Sequence, residues 1–311
     1  MMQYELLRNE KRMKQDDFYR KGSFNMLLAN EWKEYELIDT GYGEKLERWN
    51  NVVLRRPDPQ VIWPMEDKRK WKLAHAVYHR SKSGGGYWEY IKKVPKRWTV
   101  SFKDLKFYVE PTGFKHTGLF PEQAVNWTWM MRKVEEAKRR VKVLNLFAYT
   151  GGATVALASK NAEVCHVDAS KGMVTWAKQN IELSGLKDKK VRFIVDDCLK
   201  FIQREHRRGN KYDAIVMDPP SYGRGPKGEI WKIEDKLFEF VEECLGILSD
   251  KPLFFLINSY TTGFSPNVIA TILNVTVNKK FKGKVSSGEI GIPVSNSSLV
   301  LPCGIYGRWE R

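Results

Sequence analysis

Asn145-Leu146-Phe147-Ala148-Tyr149-Thr150-Gly151-Gly152 is the stretch on which the reading of this chain turns. With Val143 and Leu144 it begins as a short apolar strand and ends in paired glycines, which let the backbone approach a ligand and the next helix start at once. Strand-to-helix turns also carry glycine for steric reasons alone, so the pair needs support from elsewhere. It comes about 20 residues on, where a second apolar run ends in Val167-Asp168, the position at which an acid accepts hydrogen bonds from ribose hydroxyls. The phosphate fingerprint G-x-G-x-x-G is missing, because with Gly151 at its centre the outer glycines are replaced by Tyr149 and Thr154. Together these features imply a cofactor with a ribose but no pyrophosphate, and they disfavour an NAD oxidoreductase.

Working outward, the chain after Asn126 alternates regularly between helical and strand patterns. Helices are expected over 127–142, 153–160, 170–183 and 235–248, with a further basic helix before Tyr212. Strands are expected over 143–147, 163–167, 191–195, 212–217 and 252–257. Short apolar strands alternating with helices predict a mainly parallel α/β sheet covered on both faces, with ligands at the carboxyl ends of its strands. The third strand ends in Asp196-Asp197-Cys198. Asp197 is positioned to accept from an adenine amino group, or to cap the helix that follows. Trp176, in the helix after Asp168, either flanks the adenine or belongs to the core.

The fourth strand delivers Asp218-Pro219-Pro220-Ser221-Tyr222. Two consecutive prolines fix the backbone and remove donors, leaving carbonyls and the Asp218 carboxylate as acceptors. Such acceptors suit an amino group held with its lone pair aimed at a methyl sulfonium, and Tyr222 can stack on the base that carries it.

The segment upstream reads differently. Residues up to Gln15 form a polar helix or arm, and 35–109 breaks into short alternating segments with turns at Gly41-Tyr42-Gly43, Pro57-Asp58-Pro59 and Gly84-Gly85-Gly86. Trp98, Val100 and Phe102 alternate before Lys103-Asp104, and Leu105, Phe107 and Val109 after it, which predicts a hairpin. We therefore expect a β-rich accessory domain over 1–112 and an α/β domain over 113–311. Trp49, Trp63, Trp71, Trp88 and Trp98 lie near basic residues. That pattern admits stacking on single-stranded RNA, but packing is the commoner use of large aromatics.

Composition sets the outer bounds. The 311 residues are 42% hydrophobic and 29% charged, an ordinary globular balance. No signal-like segment opens the chain and no apolar run is long enough to span a bilayer. Cys165, Cys198, Cys244 and Cys303 contain no C-x-x-C pair, which argues against a metal site and a disulfide framework and favours the reducing cytoplasm. The formal charge of +16 favours a polyanionic partner, and no membrane association is expected.

The three motifs, together with Lys115-His116-Thr117-Gly118-Leu119-Phe120-Pro121-Glu122-Gln123 and the ending Leu301-Pro302-Cys303-Gly304, resemble the class I S-adenosylmethionine-dependent methyltransferases related to the large-subunit ribosomal RNA methyltransferases. The likeness runs from about Lys115 to the C-terminus. It implies a Rossmann-like domain that binds S-adenosyl-L-methionine through Phe147, Ala148, Thr150, Gly151, Gly152, Asp168, Ala169 and Asp197, with Gln123 from the preceding segment. It also implies catalysis at Asp218, Pro219, Pro220 and Tyr222, and an RNA substrate, ribosomal RNA foremost. Relatives that methylate carbon-5 of cytosine attack with a cysteine at the end of the fourth or fifth strand. Here those ends read Asp218-Pro219-Pro220 and Asn258-Ser259-Tyr260, so a base nitrogen is the expected target. A protein side chain or small molecule as acceptor, and a catalytically silent RNA-binding factor, are the competing readings.

Overall fold

The computed structural model describes residues 26–81, 85–224 and 230–311. The expected N-terminal arm, Gly84 of the glycine turn and the distal part of the loop after Tyr222 lie outside them. The chain divides into two compact units, one holding residues up to Ala124 with 290–303, the other 125–289 with 304–311. Relative to the expected division after residue 112, the segment 113–124 and the excursion 290–303 go with the first unit.

The first unit contains β1 (Met26–Leu28) and a five-stranded sheet of β2 (Tyr35–Gly41), β3 (Glu44–Trp49), β4 (Val52–Pro57), β5 (Ala76–Arg80) and β6 (Gly86–Tyr90), in that order. The expected hairpin is β7 (Trp98–Phe102) and β8 (Leu105–Val109), paired Val100 to Phe107. Its tight turn puts Lys103 at φ 53. Trp49 and Trp71 are buried and Trp63, Trp88 and Trp98 half-buried, and the indole nitrogens of Trp63, Trp71, Trp88 and Trp98 donate to Thr40, Asp39, Thr112 and the Trp49 carbonyl. Arg97 is likewise engaged, with Glu110 at 3.2 Å and the Tyr108 ring.

In the second unit, α1 (Ala124–Glu136) precedes β9 (Lys142–Leu146), α2 (Gly152–Ser159), β10 (Glu163–Asp168), α3 (Lys171–Leu183), β11 (Val191–Val195) and α4 (Cys198–Arg207). Then come β12 (Ala214–Met217), the short pair β13 (Tyr222–Arg224) and β14 (Ile230–Lys232), α5 (Ile233–Leu245), β15 (Phe254–Ser259), α6 (Pro266–Leu273) and α7 (Lys279–Phe281). Helix α1 stops well before residue 142, because Lys138 turns left-handed at φ 48 and releases the chain into β9.

Strands β11, β10, β9, β12 and β15 run parallel in that order. The sheet is completed by β17 (Val300–Glu310), antiparallel to β15, and by β16 (Lys284–Pro293) beside it. The far parts of β16 and β17 belong to the first unit, where β1 pairs with β16. Alternate residues of the parallel strands supply two cores, as burial of both faces requires. Leu144, Leu146, Val167, Ile215, Met217 and Ile257 pack with Phe201, Leu237, Phe240 and Ile269 of α4, α5 and α6. On the other face Phe254 meets Trp129 of α1 at 5.1 Å. Trp176 is buried. Among the described residues no helix is long and apolar enough to cross a membrane.

Candidate active site

The turn after β9 has an alternating backbone: Phe147, Tyr149 and Gly151 all have positive φ, at 53°, 50° and 82°. Left-handed conformations at non-glycine residues cost of order 1 kcal/mol or more each, and they persist where the surroundings over-determine them. Here the Ala148 N–H donates to the Val167 carbonyl at 3.1 Å and the Gly151 N–H to the Ala148 carbonyl at 3.0 Å. Tyr149 N–H donates to Asp168 Oδ2 at 2.8 Å, and Asn180 Nδ2 holds the Thr150 carbonyl at 2.9 Å. Phe147 N–H reaches Cys198 Sγ at 3.3 Å, while the Phe147 ring lies against Trp231 and Phe240.

Beneath the turn runs a buried polar chain. Asn145 Nδ2 donates to Thr154 Oγ1 at 2.9 Å, and Thr154 Oγ1 meets His166 Nδ1 at 2.9 Å. Burial pushes His166 down to about 3, so it is neutral at physiological pH. Both glycines also have packing reasons. A Cβ on Gly151 would sit 2.8 Å from Ala177 Cβ, and one on Gly152 would sit 2.6 Å from Trp127 Cζ2.

Asp168 ends β10 between this turn and the end of β11, in register with Val195. Its Oδ1 accepts from Ser170 N–H at 2.8 Å, so each carboxylate oxygen takes one backbone donor. A carboxylate has about four lone-pair sites, which leaves capacity for two hydroxyls. Burial raises the Asp168 carboxyl above its ordinary range, against the lowering effect of the Ser170 and Tyr149 N–H groups. Ala169 is exposed beside it, and Ala148 and Thr150 are buried. Asp197 is exposed and caps α4, with Oδ1 accepting from Lys200 N–H at 2.9 Å. An acid next to a left-handed turn without phosphate glycines suits a ribonucleoside lacking pyrophosphate.

Leu146, Met217 and Ile257 stand side by side in the sheet, so Phe147, Asp218 and Asn258 follow at the same level on three adjacent strands. Asn258 Nδ2 donates to Asp218 Oδ1 at 3.1 Å. Among the described residues the buried Asn258 Oδ1 has no hydrogen-bond partner. Pro219 is buried and Pro220 exposed. Of the acceptors expected in this loop, the Pro220 carbonyl is taken by Trp231 Nε1 at 2.6 Å, which pins the loop to β14. Ser221 Oγ meets Thr261 Oγ1 at 2.7 Å, and Tyr222 on β13 is 49% exposed.

Sequence reasoning missed Asn258 and Trp231. Asn258 had been read only for the absence of a cysteine, although its place at the end of a strand beside Asp218 was the available signal. The segment 115–123 belongs to the first unit, with Gln123 closing the 3-10 turn Pro121–Gln123 that runs into α1. There burial, with Lys45, Arg80 and Arg56 nearby, lowers Lys115 to about 8 against the opposite pull of Asp58. Burial also lowers His116 to about 4.

None of the cysteines is prepared as a nucleophile. Burial raises Cys165 to about 11 and pushes Cys198, Cys244 and Cys303 further above the ordinary thiol range.

Comparison with known proteins agrees with this geometry. A crystal structure of an S-adenosylmethionine-dependent methyltransferase from Agrobacterium tumefaciens is 37% identical and superposes with a TM-score of 0.86 over 92% of this chain and 93% of that one. Ribosomal RNA large subunit methyltransferase K of Neisseria meningitidis serogroup B is 27% identical over 78% of this chain and 69% of its own length. Ribosomal RNA large subunit methyltransferase K/L of Shewanella frigidimarina is 37% identical over 46% of this chain, a match that spans 20% of that longer protein. Residues 44–236 match the family description directly, and the chain belongs to the S-adenosylmethionine-dependent methyltransferases.

Proposed function

We propose that this methyltransferase acts on RNA, ribosomal RNA foremost, and that its target is a base nitrogen. The observation that carries the reading is the Asp218 carboxylate, fixed by Asn258 one strand away and level with Phe147 of the cofactor turn. Bound S-adenosylmethionine supplies an electrophilic methyl group on a sulfonium. Phe147, Ala148, Thr150, Gly151, Gly152, Ala169 and Asp197 line its place and Asp168 takes the ribose hydroxyls. Asp218 accepts an N–H of the incoming amine, so that the nitrogen lone pair stays free for transfer, and then takes up the released proton. The Pro219 carbonyl is a second acceptor, Pro220 holds the loop through Trp231, and the exposed Tyr222 ring stacks on the base.

Support for RNA comes from the names of the ribosomal RNA relatives and from the +16 charge. Support for nitrogen comes from the four thiols, all driven away from the thiolate by burial. The same free thiols suit a cytoplasmic setting. The first unit is read as the accessory domain.

The test is mass-spectrometric mapping of methylated nucleosides in ribosomal RNA from cells with and without the gene, followed by in vitro transfer with Asp218→Ala. One missing N-methyl group is expected, with turnover reduced about a hundredfold or more in the variant, the scale for losing one oriented polar group from a transition state. An unchanged methylation inventory would refute the ribosomal substrate, and a fully active Asp218→Ala would refute the mechanism.

A further inference from the structure

The opposite end of the second unit's sheet carries a cleft of about 400 Å³ at the amino ends of β9, β10 and β11, in front of Tyr212. It lies away from the turns described above, because along β10 its floor, Glu163 to Cys165, is separated from Asp168 by about 10–17 Å at strand rise. Its walls are cationic, with Arg140, Lys142, Lys190, Arg192 and Lys211 against two carboxylates, Glu163 and Glu205.

The ion pairs leave positive charge over. Glu163 is shared by Arg140 and Lys190. Glu205, wholly buried, is shared by Arg192 at 3.3 Å and Arg208 at 3.2 Å, with Tyr212 Oη donating at 2.6 Å and Asn210 Nδ2 at 2.9 Å. Each acid therefore fixes two cations while neutralising one. Lys211 Nζ is held by a neutral acceptor, the Gly246 carbonyl at 2.6 Å. Among the described residues the Lys142 ammonium has no carboxylate partner. The surplus continues beyond the cleft, since the segments 138–142, 187–192 and 207–211 contain eleven Lys and Arg and a single acid, Asp188.

Cations pre-positioned by buried acids and left in excess are the arrangement that receives phosphate, guanidinium by paired hydrogen bonds and ammonium as a point charge. We propose that this cleft binds backbone phosphates of the RNA substrate, at the end of the sheet opposite the methyl-transfer site. A band of exposed cations running through three chain segments fits a continuous polyanion rather than a lone nucleotide. The inference rests on the RNA reading above and adds a demand on the substrate. The RNA must reach from the carboxyl to the amino end of the sheet, which at about 3.4 Å of rise per nucleotide in a duplex means about three to five nucleotides beyond the target base. A folded RNA meets that demand and a free nucleoside does not.

The experiment compares three full-length proteins for binding protein-free large-subunit ribosomal RNA across a salt series, with S-adenosylmethionine affinity measured by calorimetry as the check on folding. They are the wild type, Lys142→Ala/Lys190→Ala/Lys211→Ala, and a control with equal charge loss at the exposed Lys279, Lys282 and Lys284. The slope of log affinity against log salt should fall by about 0.7–0.9 per lost phosphate contact in the cleft variant, with RNA affinity reduced at least tenfold at low salt and cofactor affinity unchanged. The control should stay near wild type. Should the triple variant lose cofactor binding, Lys142→Ala and Lys211→Ala separately carry the same test at one contact each. A cleft variant with the wild-type slope, or a control that loses as much as the cleft variant, overturns the proposal while leaving the RNA reading intact. A wild type with no salt-dependent RNA affinity overturns both.

Discussion

Replacement of Asp168 by alanine tests the cofactor half of the site, and the structure separates two effects. The carboxylate accepts from Ser170 N–H and Tyr149 N–H, both at 2.8 Å. Ser170 is exposed at the start of α3, so water can satisfy its N–H and its loss costs little. Tyr149 is half-buried in a left-handed conformation that this bond helps to hold, and an orphaned donor there costs about 1–3 kcal/mol. Unfolding in urea should therefore show a loss near that single figure rather than twice it. Two ribose hydroxyls also lose a charged acceptor, so the dissociation constant for S-adenosylmethionine and its demethylated product should rise about a hundredfold or more. Calorimetry at saturating protein stability, well below the melting range, reads the second effect without the first. Asp168→Asn keeps the volume but places an amide donor against one of two N–H donors, so it should resemble alanine rather than wild type. Since burial raises the native carboxyl, protonation should weaken cofactor binding at a pH above the ordinary aspartate range. Affinity within threefold of wild type in Asp168→Ala would refute the ribose assignment, and an unchanged urea midpoint would refute the anchoring of the turn.

Two further outcomes follow from buried polar groups. Asn258→Ala removes the donor that orients Asp218, so turnover should fall about ten- to a hundredfold with cofactor affinity unchanged; Asn258→Asp, by setting a second carboxylate beside the first, should in addition move the rate profile to higher pH, and a turnover within twofold of wild type in Asn258→Ala would discard this positioning role. His166, held near 3, binds no proton in the folded state where the unfolded chain does, so its contribution to stability falls as pH drops from about 6.5 towards 3, by about 2 kcal/mol at pH 5. An NMR titration in which the His166 ring protonates with a midpoint near 6.5 would contradict its burial.

The parallel sheet was legible because each strand is a short apolar run with turn residues after it, and the hairpin because Trp98, Val100 and Phe102 face Leu105, Phe107 and Val109 across a two-residue turn. Asp168 and Asp218 were legible for the same reason, since strand ends are fixed by the pattern itself. What pairs with them was not. Asn258 lies 40 residues from Asp218, and only the neighbouring of β12 and β15 brings them to 3.1 Å. Gly151 and Gly152 admitted room for a ligand or a purely steric reason, and only the fold shows the steric one, since Ala177 and Trp127, from helices on either side in sequence, forbid a Cβ there. The tryptophans near lysines looked capable of stacking on RNA, and local sequence could not show that their indole nitrogens are spent on Thr40, Asp39, Thr112 and a backbone carbonyl. Nor could it show that 290–303 leaves the α/β unit and returns, because two long strands carry it out and back without a change of composition.

The choice between nitrogen and carbon-5 chemistry comes down to what stands at one level of the sheet. In register after Leu146, Met217 and Ile257 come an aromatic ring, a carboxylate and a carboxamide. A carboxylate oriented by an amide can hold an N–H and receive its proton, but it cannot add to a pyrimidine ring and leave again as a thiolate does. Cys198 reaches this row, with its sulfur on the Phe147 N–H. Its burial, and the carboxylates of Asp168 and Asp197 nearby, drive it far from the thiolate. Replacing all four cysteines by serine should therefore leave methyl transfer within an order of magnitude, apart from packing losses at the three buried positions. A cysteine-free protein that folds and binds cofactor but is inactive, together with covalent trapping of the wild type by a 5-fluorocytosine RNA, would require one of these thiols to reach the pyrimidine, and the mechanism built on Asp218 would fall with that result.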